Sequence, residues 1–317
     1  MPDDNLRFFR DGSSLKFNNK LLPPIVPLYI LPGEYFIGKN TTGSALTVLT
    51  ESSEAFESNI QLGFPQLPDP GSPTHIEVLR QWIQACDQNH QCLQSQDEPF
   101  LPTRLVYVGK SGVERARLIC ETKHLGNDIK YLTLSHRWGS RPTYHQAKLL
   151  EGKIVYTYKK NMNRLSHGFD DSELPPMYLD AIDIARKLGL QYLWIDALCI
   201  IQQDKEDWAK ESELMERVFR AAYATLAATC ASSPAKHFLK TRPKRQCVTM
   251  KADRSFYYLC NAIDDFNGDV EQGELNKRGW VFQERALSRR TIYFAEKQTY
   301  WECGKGVRCE TLTKTSK

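Results

Sequence analysis

Three short stretches put ionisable and aromatic side chains where an apolar core would otherwise continue. "YLTLSHRWGS" is a compact apolar run that ends in Ser135, His136, Arg137, Trp138 and Gly139. "LQYLWIDALCI" ends its run at Asp196, with Cys199 close behind. "DWAKESELMERVF" reads as an amphipathic helix in which Trp208, Met215, Val218 and Ala222 form one apolar stripe, and Glu211 falls on that stripe. An ionised carboxylate on a buried face costs several kcal/mol unless it meets a cation or opens onto a cleft. Glu211 therefore has either a buried cationic partner, for which Arg278 and Arg285 of "KRGWVFQER" stand out, or a pocket to line.

The neighbouring residues carry the same choice between structure and chemistry. Trp138, beside Gly139, can stack on a planar ligand or plug the top of the core. His136 can titrate near neutrality or serve as a satisfied structural group. Asp196 at a strand end can cap the following turn or accept a ribose hydroxyl. Ser135 lacks the G-x-S-x-G surroundings of a nucleophile elbow, and Cys199, between Leu198 and Ile200, reads as a buried thiol. "CDQNHQC" brings Cys86, His90 and Cys92 together, and Cys303 and Cys309 repeat the cysteine spacing. Zinc needs about four ligands. No fourth is evident in sequence, so the sequence assigns no metal. Walker, G-x-G-x-x-G and H-E-x-x-H patterns are absent.

The elements that must position these groups alternate. "SPTHIEVLRQWIQAC" reads as a helix capped by Ser72 or Thr74. "TRLVYVG", "RARLICET" and "KYLTLSH" read as strands, and "LPPMYLDAIDIARKLGL" as a helix with prolines in its first turn and Gly189 at its end. The strand at "LQYLWID", the helix from Asp204 to Ala222 and the strand "ATLAATC" follow, then a helix-like piece and a strand pair within "RGWVFQERALSRRTIYFAEKQTYWEC". This order predicts an α/β fold with a parallel sheet flanked by helices. In such sheets ligands bind beyond the carboxyl ends of the strands, where Ser135 and Asp196 fall. Residues 1–75, rich in Pro, Gly, Ser and Asn, read as an irregular, partly β extension, and 76–317 as the main domain.

With 317 residues, 41% hydrophobic and 25% charged, the chain has the composition of a soluble globular protein. A net charge of +4 is too mild to suggest nucleic acid, and "KTRPKRQ" reads as a solvated loop. No apolar run approaches the roughly 20 residues of a membrane helix. Nine scattered cysteines and a polar N-terminus favour a reducing, cytoplasmic location.

"YLTLSHRWGS", "YLWIDALCIIQQDKEDWAKESELMERVFRAAYATLAA" and "KRGWVFQERALSRRTIYFAEKQTYWEC" resemble the three motif blocks of the fungal heterokaryon-incompatibility (HET) domain. The resemblance covers roughly Tyr131 to Cys303; Gln203 and Tyr178 depart from the usual pattern. It implies an allorecognition effector that triggers programmed cell death. A remote kinship with TIR domains implies a flavodoxin-like sheet and, for some members, hydrolysis of NAD by a helix glutamate. On that reading Glu211, on the helix of Trp208, is the catalytic position. Ser135, Arg137, Trp138, Asp196, Trp208, Arg278 and Arg285 are substrate-binding, and NAD is a substrate rather than a cofactor. A single carboxylate suffices there, since nicotinamide leaves as a neutral group from an oxocarbenium-like state. The alternative is a non-enzymatic, self-associating adaptor. The resemblance also implies a partner sensed through a C-terminal region beyond Lys317.

Overall fold

A computed structural model describes residues 66–311 apart from 91, 94–99, 111–112, 127, 140–143, 246, 253–254, 262 and 278, together with strand backbone outside that span. The chain divides into two compact units.

The first unit comprises residues 1–68, 243–265 and 308–315. Its strands Phe8–Asp11, Ser14–Phe17, Leu28–Leu31, Glu34–Lys39 and Ala45–Thr50 lie side by side, antiparallel, and are continued by Ser255–Asn261 and Cys247–Ala252. Gln61–Leu62 pairs parallel to Ala45–Thr50. The region expected to be mostly irregular thus supplies several strands. Two of them, Leu28–Leu31 and Ala45–Thr50, fall in short apolar runs that already read as β-like, and the latter also pairs with Ser255–Asn261, about two hundred residues further along the chain.

The second unit, residues 69–242, 266–307 and 316–317, holds the three motif blocks. Helix α1 (Pro73–Asn89) begins at Ser72, whose hydroxyl accepts from the His75 amide at 3.3 Å, and it buries Ile76, Leu79, Trp82, Ile83 and Cys86 as its spacing predicts. Strands β1 (Leu105–Tyr107), β2 (Arg117–Ile119) and β3 (Tyr131–Ser135) follow. Helices α2 (Tyr144–Leu150), α3 (Lys159–His167) and α4 (Pro176–Lys187) lead to β4 (Tyr192–Trp194). The short α5 (Asp196–Cys199), helix α6 (Lys205–Ala221) and β5 (Ala224–Ala227) come next. Helix α7 (Gly279–Leu287) and strands β6 (Arg290–Phe294) and β7 (Thr299–Cys303) complete the unit. Pro176 opens α4 and Gly189, at φ +77°, ends it, as expected.

The strands lie in the order β7-β6-β5-β3-β4-β1-β2. The four central ones, β4, β3, β5 and β6, run parallel. The expectation of a wholly parallel sheet is corrected at both margins, where β1, β2 and β7 pair antiparallel. β1 with β2 and β6 with β7 are successive strands joined by short connections, and such pairs can only be antiparallel, while β1 runs antiparallel to β4 from a segment far upstream. Every residue of β3, β5, β6 and β7 is buried, which explains why β3 and β5 show no alternation of polar and apolar residues.

From β3 the chain steps outward to β4 through α4, then returns past β3 to β5 through α6. Right-handed crossovers put α4 and α6 on opposite faces. On the α6 side, Tyr131 donates its hydroxyl to Val218 O at 2.7 Å, and Thr133, Thr225 and Ser288 link their hydroxyls at 2.7 Å each. Alternation along β3 therefore aims Tyr131, Thr133 and Ser135 at the helices α6 and α7.

Candidate functional site

The chain reverses direction between the carboxyl ends of β3 and β5, the place where open sheets of this kind leave a crevice. A cleft of about 200 Å³ lies beside these strand ends. His136 and Trp138 from the end of β3 line it, with Asp196 and Ile200 from the segment after β4. Trp208, Ser212 and Met215 enter from α6, and Val281 and Glu284 from α7. All three motif blocks therefore converge on one cavity.

The carboxyl of Glu284 lines this cavity and is held from behind by Ser135. Ser135 Oγ donates to Glu284 Oε2 at 2.5 Å, and both residues are buried. Glu284 was not singled out in the sequence. The signal was present in "GWVFQERAL", where Val281 and Glu284 are three apart and so share a face, putting a carboxyl beside an apolar group.

Asp196 organises the rim. Its Oδ2 accepts from Trp138 Nε1 at 2.8 Å and its Oδ1 from the Ala197 amide at 2.6 Å, and His136 Nδ1 lies 3.7 Å from Oδ1. Asp196, the first residue of α5, thus holds the next amide and anchors the indole at once. That indole lies 5.5 Å from the Tyr156 ring, tilted by 49°. Gly139, at φ +85°, lets the chain turn away after Trp138; a Cβ there would sit 2.8 Å from Ser233 Cβ. His136, buried, meets the Tyr178 ring edge-on at 5.6 Å.

Beyond Trp138 opens a second cavity of about 810 Å³, lined by Tyr156 and Tyr158 and by the cations Lys153, Lys160 and Arg164. Arg164 pairs with Glu173, and Lys153 reaches Ser172 O, while Lys160 Nζ lies 5.6 Å over the Tyr158 ring. Trp138 lines both cavities.

Helix α6 spans the expected residues, with Asp204 Oδ1 accepting from the amides of Glu206 and Asp207. Its stripe differs from the expected one. Glu211, Val218 and Phe219 are buried, Met215 is half-buried, and Trp208 is 55% exposed. The first turns of α6 overhang the strand ends, so Trp208 and Met215 line the cleft instead of packing on the sheet.

Glu211 is 1% exposed and does not line the cleft. Its cationic partner is Arg104, not Arg285: Arg104 Nη2 stands 3.4 Å from Glu211 Oε1 and 2.6 Å from both Asp207 oxygens, while Arg104 Nε donates to Cys199 O at 2.5 Å. Asp207 Oδ2 also accepts from the Ile201 amide at 2.7 Å. The buried charges form one network with two carboxylates, one guanidinium and backbone groups. Its arginine comes from the loop before β1, about a hundred residues upstream, beyond the reach of a local reading.

Arg285 points elsewhere, to Glu302 at 3.2 Å and Glu271 at 3.1 Å. Arg137 lies 3.9 Å from Glu274 and does not line either cavity. Arg278 lies outside the described residues. Burial pushes the Cys199 thiol up to about 12, so at neutral pH it is a protonated core group. Gln203 adopts φ +65°, in the turn that leads into α6.

Among the described residues, no helix is long and apolar enough to cross a membrane. A family model described as heterokaryon incompatibility protein (HET) matches residues 131–284. No curated protein and no solved structure matches the chain.

Proposed function

Because residues 131–284 are a heterokaryon-incompatibility domain, which implies a role in fungal incompatibility and cell death, we propose that the chain kills by hydrolysing a nicotinamide dinucleotide at its N-glycosidic bond, with Glu284 as the carboxylate beside the ribose. The observation that carries this reading is Glu284, which lines a cleft with apolar walls and is held by the Ser135 hydroxyl.

As the bond to nicotinamide breaks, positive charge develops on the ribose. A carboxylate held by Ser135 and flanked by Ile200, Met215 and Val281 opposes that charge in a medium with little competing water. Trp138, fixed by Asp196, offers a ring face for the nicotinamide. A cleft of about 200 Å³ takes one ring and its sugar. The larger cavity beyond Trp138, with Lys153, Lys160 and Tyr156, suits the diphosphate and adenine. The four central strands follow the flavodoxin-like order, and such sheets bind ligands beyond their strand ends, where this cleft lies.

A second reading, a self-associating adaptor without chemistry, is favoured by Trp208, which is 55% exposed on the cleft rim. Nicotinamide release from concentrated purified protein separates the two. The enzyme reading expects release that falls by about 100-fold or more in Glu284→Gln protein of unchanged fold, the size of effect seen when a preorganised electrostatic contact is lost. It expects Glu211→Gln protein to keep its activity. Folded wild-type protein that releases nothing from NAD or NADP at any concentration overturns it.

A further inference from the structure

The sequence offers Cys86, His90 and Cys92 as three metal-type ligands, and the fold brings a fourth. Cys86 lies in the last turn of α1, and His90 is the C-cap residue of that helix, its amide donating to Cys86 O at 3.0 Å. Cys92 follows two residues later. Cys303 is the last residue of β7, more than two hundred positions away, and its Sγ stands 3.5 Å from His90 Nδ1. One donor atom from each of the four residues lies within 4.8 Å of all the others. We propose that Cys86, His90, Cys92 and Cys303 form a structural zinc site that ties the end of α1 to the end of β7.

The donor set decides the metal class. Three sulfurs and one imidazole suit Zn²⁺ and exclude hard, oxygen-seeking Mg²⁺ and Ca²⁺. Zinc–sulfur and zinc–nitrogen bonds of about 2.3 and 2.0 Å set tetrahedral ligand atoms about 3.5–3.8 Å apart, so the cluster needs only a small contraction. All four positions are filled by protein, the mark of a structural rather than a catalytic site.

Surroundings fit as well. Cys86 and Cys303 are 1% and 5% exposed, so the site is mostly dry, while half-buried His90 and Cys92 leave a way in. Gly304, just after Cys303, lies close to the cluster: a Cβ there would meet Cys92 Sγ at 3.5 Å. Zinc binding to three thiols and a neutral histidine releases three protons and leaves the centre with one net negative charge. Arg290, buried and paired with Asp87 at 2.6 Å, stands beside the cluster. Stapling two elements so distant in sequence removes many open conformations from the unfolded chain.

The test uses the full chain, expressed with zinc in the medium and purified under reducing conditions without chelator. Elemental analysis is expected to find one zinc per chain, and titration with a mercurial thiol reagent to release it to a metallochromic dye. This readout needs no variant, so a folding defect cannot mask it. Cys303→Ser protein is expected to lose its zinc to a competing chelator at least tenfold faster than wild type. Cys120→Ser protein, altered outside the cluster, is expected to keep it. Cobalt in place of zinc should give thiolate-to-metal absorption that Cys303→Ser weakens. Wild-type protein without zinc above the blank, before and after reconstitution with zinc chloride and reductant, overturns the proposal, and so does a disulfide between any two of the three cysteines in reduced, zinc-supplied protein.

Discussion

Ser135 donates its hydroxyl to Glu284 across 149 residues of sequence, at 2.5 Å and out of reach of bulk water. The last residue of the central strand and the middle of α7 are thereby locked together, which joins the first and third motif blocks. Ser135→Ala removes this hydrogen bond. Urea titration followed by tryptophan fluorescence should show a loss of about 0.5–1.5 kcal/mol, the usual net worth of one buried hydrogen bond.

The network under α6 predicts an asymmetry. Arg104→Met strands the buried Glu211 and the half-buried Asp207, and should cost about 3–5 kcal/mol. Glu211→Gln keeps the shape and leaves the two short contacts of Arg104 to Asp207 intact, so it should cost clearly less, about 1 kcal/mol. Equal losses for the two variants would show that Glu211, not Asp207, dominates the pair.

The two tryptophans of the cleft should behave differently. Trp138→Phe keeps a ring but loses the hydrogen bond to Asp196, and should lower stability by about 1–2 kcal/mol. Trp208→Ala truncates a side chain that is already 55% exposed, and thermal melting should move little, within about 0.5 kcal/mol. Any larger effect of the Trp208 change on killing in an inducible yeast assay would then report the cleft rather than the fold.

His75 gives the fold an acid sensitivity. It is fully buried, its Nδ1 accepts from the Gly71 amide at 3.0 Å, and its Nε2 meets Thr299 Oγ1 at 2.9 Å. Burial first, then Arg242 and Lys187, lowers its pKa from 6.5 to about 3. The unfolded chain therefore binds a proton that the folded chain refuses between those values. The stability due to this group is complete above pH 6.5 and is lost as pH falls toward 3. Between pH 7 and 5 the loss should be about 2 kcal/mol. Denaturation midpoints at the two pH values measure it, and His75→Gln protein should lose this part of the slope.

Gly139 has neither the backbone angle nor the room for a side chain. With φ at +85° and Ser233 Cβ 2.8 Å from where a Cβ would lie, Gly139→Ala should cost about 2 kcal/mol or more and displace Trp138. Near-ultraviolet circular dichroism should register the displaced indole, and calorimetry the lowered melting temperature.

Periodicity alone determined much of this protein. The helices α1, α4 and α6, their Ser72, Pro176 and Asp204 starts, and the buried strands around Tyr131 and Trp194 were legible because capping and apolar spacing act within one turn or one strand. So was the rim where His136 and Asp196 fall, since strand ends follow from strand order. Tertiary structure decided which carboxyl faces that rim. Glu211 and Glu284 both sit on helices with apolar faces, and nothing local tells which one meets Arg104 and which meets Ser135. It also chose Cys303 to complete the cluster of Cys86, His90 and Cys92. Those choices belong to contacts between residues a hundred or more positions apart, whose energies arise only when the sheet assembles and removes the groups from water together.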